Sequence, residues 1–98
     1  MLEKNKHDKE NYYFYLPNCP YCKKAEEDIE DICRIMPEYR KAAESFVRID
    51  ESKQPDFVEE FDYYYVPTFY VKGYKICEGK LTKRQVLAAL QEAAGRMG

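Results

Sequence analysis

The sequence predicts an α/β fold built on a mixed four-stranded sheet, and three stretches carry that prediction. Tyr12-Tyr13-Phe14-Tyr15-Leu16 is apolar and aromatic without polar alternation, as a strand covered on both faces should be. A helical stripe follows, from about Pro20 to Met36, in which Cys22, Ala25, Ile29, Ile32, Cys33 and Met36 share one face, and then the short strand Phe46-Val47-Arg48-Ile49-Asp50. Strand, helix and strand in that order make a parallel unit with a right-handed crossover. Finally, Thr68-Phe69-Tyr70-Val71 and Tyr74-Lys75-Ile76-Cys77 flank Lys72-Gly73, which reads as an antiparallel hairpin.

The remaining elements fill in around these. Residues 1–11 form a charged, polar lead-in expected to fray, and 12–98 form a single domain, since 98 residues suffice for one core and not for two. Pro17-Asn18 turns the chain into the first helix, where Glu26, Glu27, Asp28, Glu30 and Asp31 lie mostly off the apolar stripe and read as solvated. Pro37 ends or kinks that helix, and residues 38–45 add a further turn or two. Pro55 suits the first position of a short helix reaching Phe61. Thr82 is a candidate N-cap for a last helix over about 83–94, with Val86, Leu87, Leu90 and Ala94 inward and Gly95 as its stop. The order is β-α-β-α-β-β-α, without repeats.

Composition narrows the function classes. The chain is 45% hydrophobic and 35% charged with a net charge of -2, so no electrostatic signal points to nucleic acid or a membrane surface. No apolar run approaches a membrane span, and the charged start lacks a signal segment, which leads to the expectation of a cytoplasmic protein. A monomer is expected, although no residue pattern speaks to oligomeric state.

Chemistry concentrates in Cys19-Pro20-Tyr21-Cys22, at a strand-to-helix junction. A helix start offers unbonded N–H groups and a positive partial charge. With Cys19 as N-cap and Cys22 at the third helical position, the two sulfurs come within reach of one another. Thiols in such motifs titrate well below the roughly 8.5 of a free cysteine, which makes Cys19 the expected nucleophile and Cys22 the resolving thiol. Lys23 and Lys24 would add positive potential, and Pro20 suits a first helical position that needs no N–H. Two other readings of the pair are a structural disulfide and half of a metal site. A tetrahedral zinc site wants a second ligand pair, whereas the other cysteines stand alone and the single histidine is His7, so no metal is expected. Cys33 lies about three turns beyond Cys22, ~16 Å along a helix, and reads as a buried small hydrophobe. Cys77 ends a strand near the site, as an inert residue or a third exchangeable thiol. Tyr63-Tyr64-Tyr65 either wall a substrate groove or cover the end of the sheet.

The C-P-Y-C motif after a first strand, with Val66-Pro67-Thr68 opening a hairpin, resembles the thioredoxin-like superfamily, and the likeness runs from about residue 12 to 94. Cys19-Pro20-Tyr21-Cys22 is similar to the dithiol glutaredoxin motif, whereas Ile49-Asp50-Glu51 and Val66-Pro67-Thr68-Phe69 read more like thioredoxin. The resemblance implies a three-layer glutaredoxin-type fold and thiol–disulfide exchange through a redox-active Cys19–Cys22 disulfide with no bound cofactor. It implies disulfide-containing proteins or glutathione mixed disulfides as partners, and glutathione or a thioredoxin reductase as reductant. It also implies a cis Pro67 that sets the Val66 backbone beside the dithiol, with Pro20, Tyr21, Glu78 and Gly79 completing the substrate site. Glutaredoxins carry a Gly-Gly pair after the fourth strand to hold glutathione. Here Cys77-Glu78-Gly79-Lys80 stands there, and a carboxylate at Glu78 would repel a glutathione carboxylate if it faced the groove. The competing class is a non-catalytic binding or redox-sensing module of the same fold.

Overall fold

A computed structural model describes residues 4–95. Its elements are β1 (Asn11–Tyr15), α1 (Pro20–Ile35), a 3-10 turn (Pro37–Tyr39), α2 (Arg40–Glu44), β2 (Phe46–Asp50), α3 (Pro55–Val58), β3 (Thr68–Val71), β4 (Tyr74–Glu78) and α4 (Lys83–Gly95). The sheet order is β2-β1-β3-β4, with β1 parallel to β2 and antiparallel to β3, and β3 antiparallel to β4. The mixed four-stranded sheet of the sequence reading is therefore the observed one.

Alternation along β1 and β3 splits the core in two. Tyr13, Phe69 and Val71 face α1, α2 and α4, joining Ile29, Ile32, Val86 and Leu90. Phe14 and Tyr70 face the other way, onto Ile49, Phe61, Phe57 and Tyr63. This second layer is mainly aromatic: Phe14 lies 4.7 Å from Phe61 and 4.9 Å from Tyr63 between ring centroids, inside the range of favourable ring pairs.

Several boundaries differ from expectation. β1 starts one residue earlier and stops before Leu16. Asn11 is held there because its Nδ2 donates to Ser45 Oγ at 2.9 Å and its Oδ1 accepts from Lys72 N at 3.1 Å. α3 ends at Val58 instead of Phe61. Met36 is the C-cap of α1, with its N–H on the Ile32 carbonyl at 2.7 Å. On α4 the inward residues are Val86, Ala89, Leu90 and Ala93, with Leu87 and Ala94 only half-buried, so the stripe is rotated toward its alanines. Thr82 caps α4 reciprocally with Gln85, each side chain accepting the other's backbone N–H.

Two expectations fail on physical grounds. Asp28, read as solvated, is 3% exposed, and its carboxylate takes the Lys24 ammonium at 3.0 and 2.8 Å. An i,i+4 pair lets the lysine stem cover the acid while its nitrogen stays wet. From residue 4 onward the lead-in is docked rather than frayed, and residues 1–3 lie outside the described residues. Asn5 N donates to Gly73 O at 2.7 Å, and the His7 ring lies 5.1 Å from Phe61 and 4.9 Å from Phe57 while pairing with Glu60. Lys72 and Gly73 turn the hairpin with φ of 47° and 93°, and a Cβ on Gly73 would fall 2.6 Å from Lys4 Cγ. The turn thus needs glycine for conformation and for space.

Candidate functional site

The parallel pairing of β1 with β2 puts both carboxyl ends, Tyr15 and Asp50, on one edge of the domain. Open α/β sheets place ligands beyond such ends, and here that edge carries the dithiol. Cys19 is the N-cap of α1 in an extended conformation, and its Sγ accepts the Cys22 N–H at 3.2 Å. Its carbonyl accepts the Lys23 N–H at 3.0 Å, closing the first turn. Cys19 is half-exposed, whereas Cys22 is 4% exposed. The Tyr13 hydroxyl, itself buried, donates to the Cys22 carbonyl at 3.1 Å. The opposite wall is the loop before β3. The Val66–Pro67 bond is cis, and the Cys19 thiol faces the Val66 carbonyl at 4.0 Å. Gly79, at φ 86°, donates its N–H to Pro67 O at 2.8 Å.

A groove of about 550 Å³ runs beside this pair, lined by Leu16, Tyr21, Tyr64, Tyr65, Val66 and Gly79 together with the charged Glu51, Glu78 and Lys80. The structure so brings together Cys19, Cys22, Tyr21, Val66, Pro67, Glu78 and Gly79, with Pro20 exposed at the helix start. Lys23 projects into solvent, and the Lys24 ammonium is taken by Asp28. The tyrosine run divides its labour. Tyr63 covers the sheet and donates its hydroxyl to Glu51, while Tyr64 and Tyr65 wall the groove. Leu16, Glu51 and Lys80 were not singled out from sequence. For Glu51 a signal existed, since it directly follows a strand parallel to β1.

Burial sets the Cys22 thiol apart. Burial, the bond to Cys19 and the Cys19 and Glu51 charges push the Cys22 thiol up to about 12, against the pull of a backbone bond at Leu16. Cys33 is 1% exposed and raised by burial. Cys77 packs toward α4, its thiol 3.7 Å from the Gln85 carbonyl, and burial pushes it up to about 12. Among the described residues no cluster of three or more His, Cys, Asp and Glu is arranged to hold a metal, and no helix is long and apolar enough to cross a membrane.

These shifts make stability pH-dependent. The folded state holds the protons of Cys22 and Cys77 more tightly than their ordinary value of 9.0 implies. Their contribution is then complete below the unfolded value and is lost as pH climbs toward about 12. Urea unfolding of the reduced protein is expected to show stability falling above roughly pH 8.5, with Cys77→Val removing part of the fall. A flat profile from pH 8 to 10 would contradict the burial of these thiols.

No protein-family model and no curated protein matches the sequence. Among solved structures the chain is similar to the first two thioredoxin domains of Saccharomyces cerevisiae Eps1p, at 22% identity and a TM-score of 0.54. The alignment covers 91% of this chain and 37% of that one, so the chain spans well under half of its neighbour's length. The fold is thioredoxin-like.

Proposed function

We propose that this chain is a dithiol–disulfide oxidoreductase of glutaredoxin or thioredoxin type, acting as a cytoplasmic monomer without a bound cofactor. The observation that carries the reading is the inequality of the two sulfurs: one half-exposed at a helix start, the other buried and held protonated. In the first step Cys19 Sγ bonds one sulfur of a substrate disulfide, the S–S bond breaks, and the released thiolate takes a proton. In the second, Cys22 Sγ bonds Cys19 Sγ and the second substrate thiol leaves. The substrate gains two electrons and two protons, and the dithiol loses them.

Burial is the largest cause that holds the Cys22 proton, and the bond to Cys19 and the Cys19 charge add to it. In the proposed sequence these two fall away once Cys19 carries a neutral mixed disulfide, which eases deprotonation of the resolving thiol. Disulfide-bearing proteins or glutathione mixed disulfides serve as substrates, and glutathione or a thioredoxin reductase restores the dithiol. Pre-reduced protein mixed with insulin is expected to reduce one disulfide per chain in a single turnover. No reduction above that of buffer would reject the reading.

A further inference from the structure

Six large hydrophobic residues are exposed among those described, and four of them, Leu16, Tyr21, Tyr64 and Tyr65, line the groove beside Cys19. Tyr64 is 81% and Tyr65 68% exposed. Apolar surface gathered around a reactive sulfur marks a place where another molecule is held. What that molecule can be depends on the polar groups between the rings. A carboxylate entering the groove needs N–H donors, and three amides at its border, those of Tyr64, Tyr65 and Gly79, are already bonded within the protein. Tyr64 N and Tyr65 N both donate to Glu78 Oε2, at 2.7 and 3.0 Å, and Gly79 N donates to Pro67 O at 2.8 Å. The other Glu78 oxygen accepts the Lys75 ammonium at 2.6 Å. Burial opposes the charge on Glu78, yet Lys75 and the two amides hold its carboxyl below the usual value. Glu51 supplies a second carboxylate to the same lining.

We propose that Glu78 is a specificity residue: its carboxylate occupies the amide pair beside the Val66–Pro67 loop, which turns the groove against acidic small disulfides and leaves its aromatic walls to an apolar side chain of a disulfide-bearing polypeptide. This rests on the oxidoreductase reading and deepens it. Glutathione carries two carboxylates and no apolar side chain, so it meets bonded amides and the Glu51 and Glu78 carboxylates, with Lys80 as the opposing cation in the same lining. A polypeptide segment with a phenylalanine next to its cysteine meets Tyr21, Tyr64 and Tyr65, and its side chain makes no demand on those amides. Ring-on-ring contacts of this kind are favourable beyond the area they cover.

The test uses pre-reduced protein in single turnover on two probes, oxidised glutathione and a neutral Cys-Phe-containing peptide disulfide. The quantity read is the ratio of their second-order rates, with the rate constant at saturation separated from the half-saturating concentration. Wild type is expected to favour the peptide by about tenfold or more. Glu78→Ala, which frees the amides and removes a charge, is expected to shift the ratio toward glutathione several-fold, mainly through tighter half-saturation. Glu78→Gln keeps an acceptor on the loop and guards against a folding defect; a smaller shift in the same direction is expected. Tyr64→Ser should lower the peptide rate more than the glutathione rate, and an equal fall in both would count against the aromatic wall as the seat of the preference. An unchanged ratio in both Glu78 variants overturns the proposal while leaving the oxidoreductase reading intact. Failure of wild type on both probes overturns that reading and the selectivity with it.

Discussion

Cys19→Ser is expected to lower the rate of disulfide reduction by about a thousandfold or more, the scale on which loss of a reacting nucleophile is felt. A serine hydroxyl in the same N-cap position still accepts the Cys22 N–H now held by sulfur at 3.2 Å, so the helix start and the fold should survive. Cys22→Ser behaves differently. The first attack needs only Cys19, so the variant should form a mixed disulfide with substrate and stop there. Non-reducing mass spectrometry should then find one substrate chain per protein molecule, releasable by a small dithiol. If Cys22→Ser trapped nothing while Cys19→Ser did, the roles drawn from burial would be reversed. Equal residual activity in both variants would remove the dithiol from the chemistry altogether.

Phe14→Ala is expected to cost about 3–5 kcal/mol, the range for emptying a fully buried aromatic site. Phe14 is 0% exposed in the central strand, and its ring meets Phe61, Tyr63 and Tyr70 at centroid distances of 4.7, 4.9 and 6.0 Å. The layer is rich in rings on stiff, short segments, which cannot collapse far into the void. A domain of this size is stable by roughly 5–15 kcal/mol, so the variant should approach half-unfolding well below the wild-type denaturant midpoint. Urea titrations with unchanged slope would show that the loss is one of stability and not of cooperativity. A loss under about 1 kcal/mol would mean that the aromatic layer is a cover and not a core. Phe14→Leu, which keeps most of the volume, should cost less.

The sheet, its helices and the dithiol were readable because each rests on short-range rules. An unbroken apolar and aromatic run marked β1, the Lys72-Gly73 turn between two apolar stretches marked β3 and β4, helical spacing marked α1, and Cys19 with Cys22 used one turn of helix. The misreadings have a common source in packing between distant segments. Asp28 looked solvated because it was read with the acids off the apolar stripe, whereas in the fold it is buried and paired with Lys24. His7 and Asn5 looked frayed because no local pattern marks them, and their partners are Phe57, Phe61, Glu60 and Gly73, fifty or more residues away. Glu78 was readable as a carboxylate near the groove. That its carboxylate closes the amides of Tyr64 and Tyr65 was not, because a strand end and a loop thirteen and fourteen residues apart must first be folded together.

The thiol of Cys19 and the carbonyl of Val66 that faces it are 47 residues apart in the chain. Closing a loop of that length costs on the order of 3 kcal/mol in chain entropy from its length alone. No local segment can meet that cost; it is met by β1 and β3 pairing within the sheet. During synthesis the helix start with Cys19 and Cys22 therefore emerges well before the wall that faces it. Until β3 docks, Cys19 lacks the Val66 carbonyl that faces it in the fold. On the function proposed above, selectivity arrives only with the completed sheet, so conditions that detach the β3–β4 hairpin are expected to cost selectivity before any loss of the cysteines.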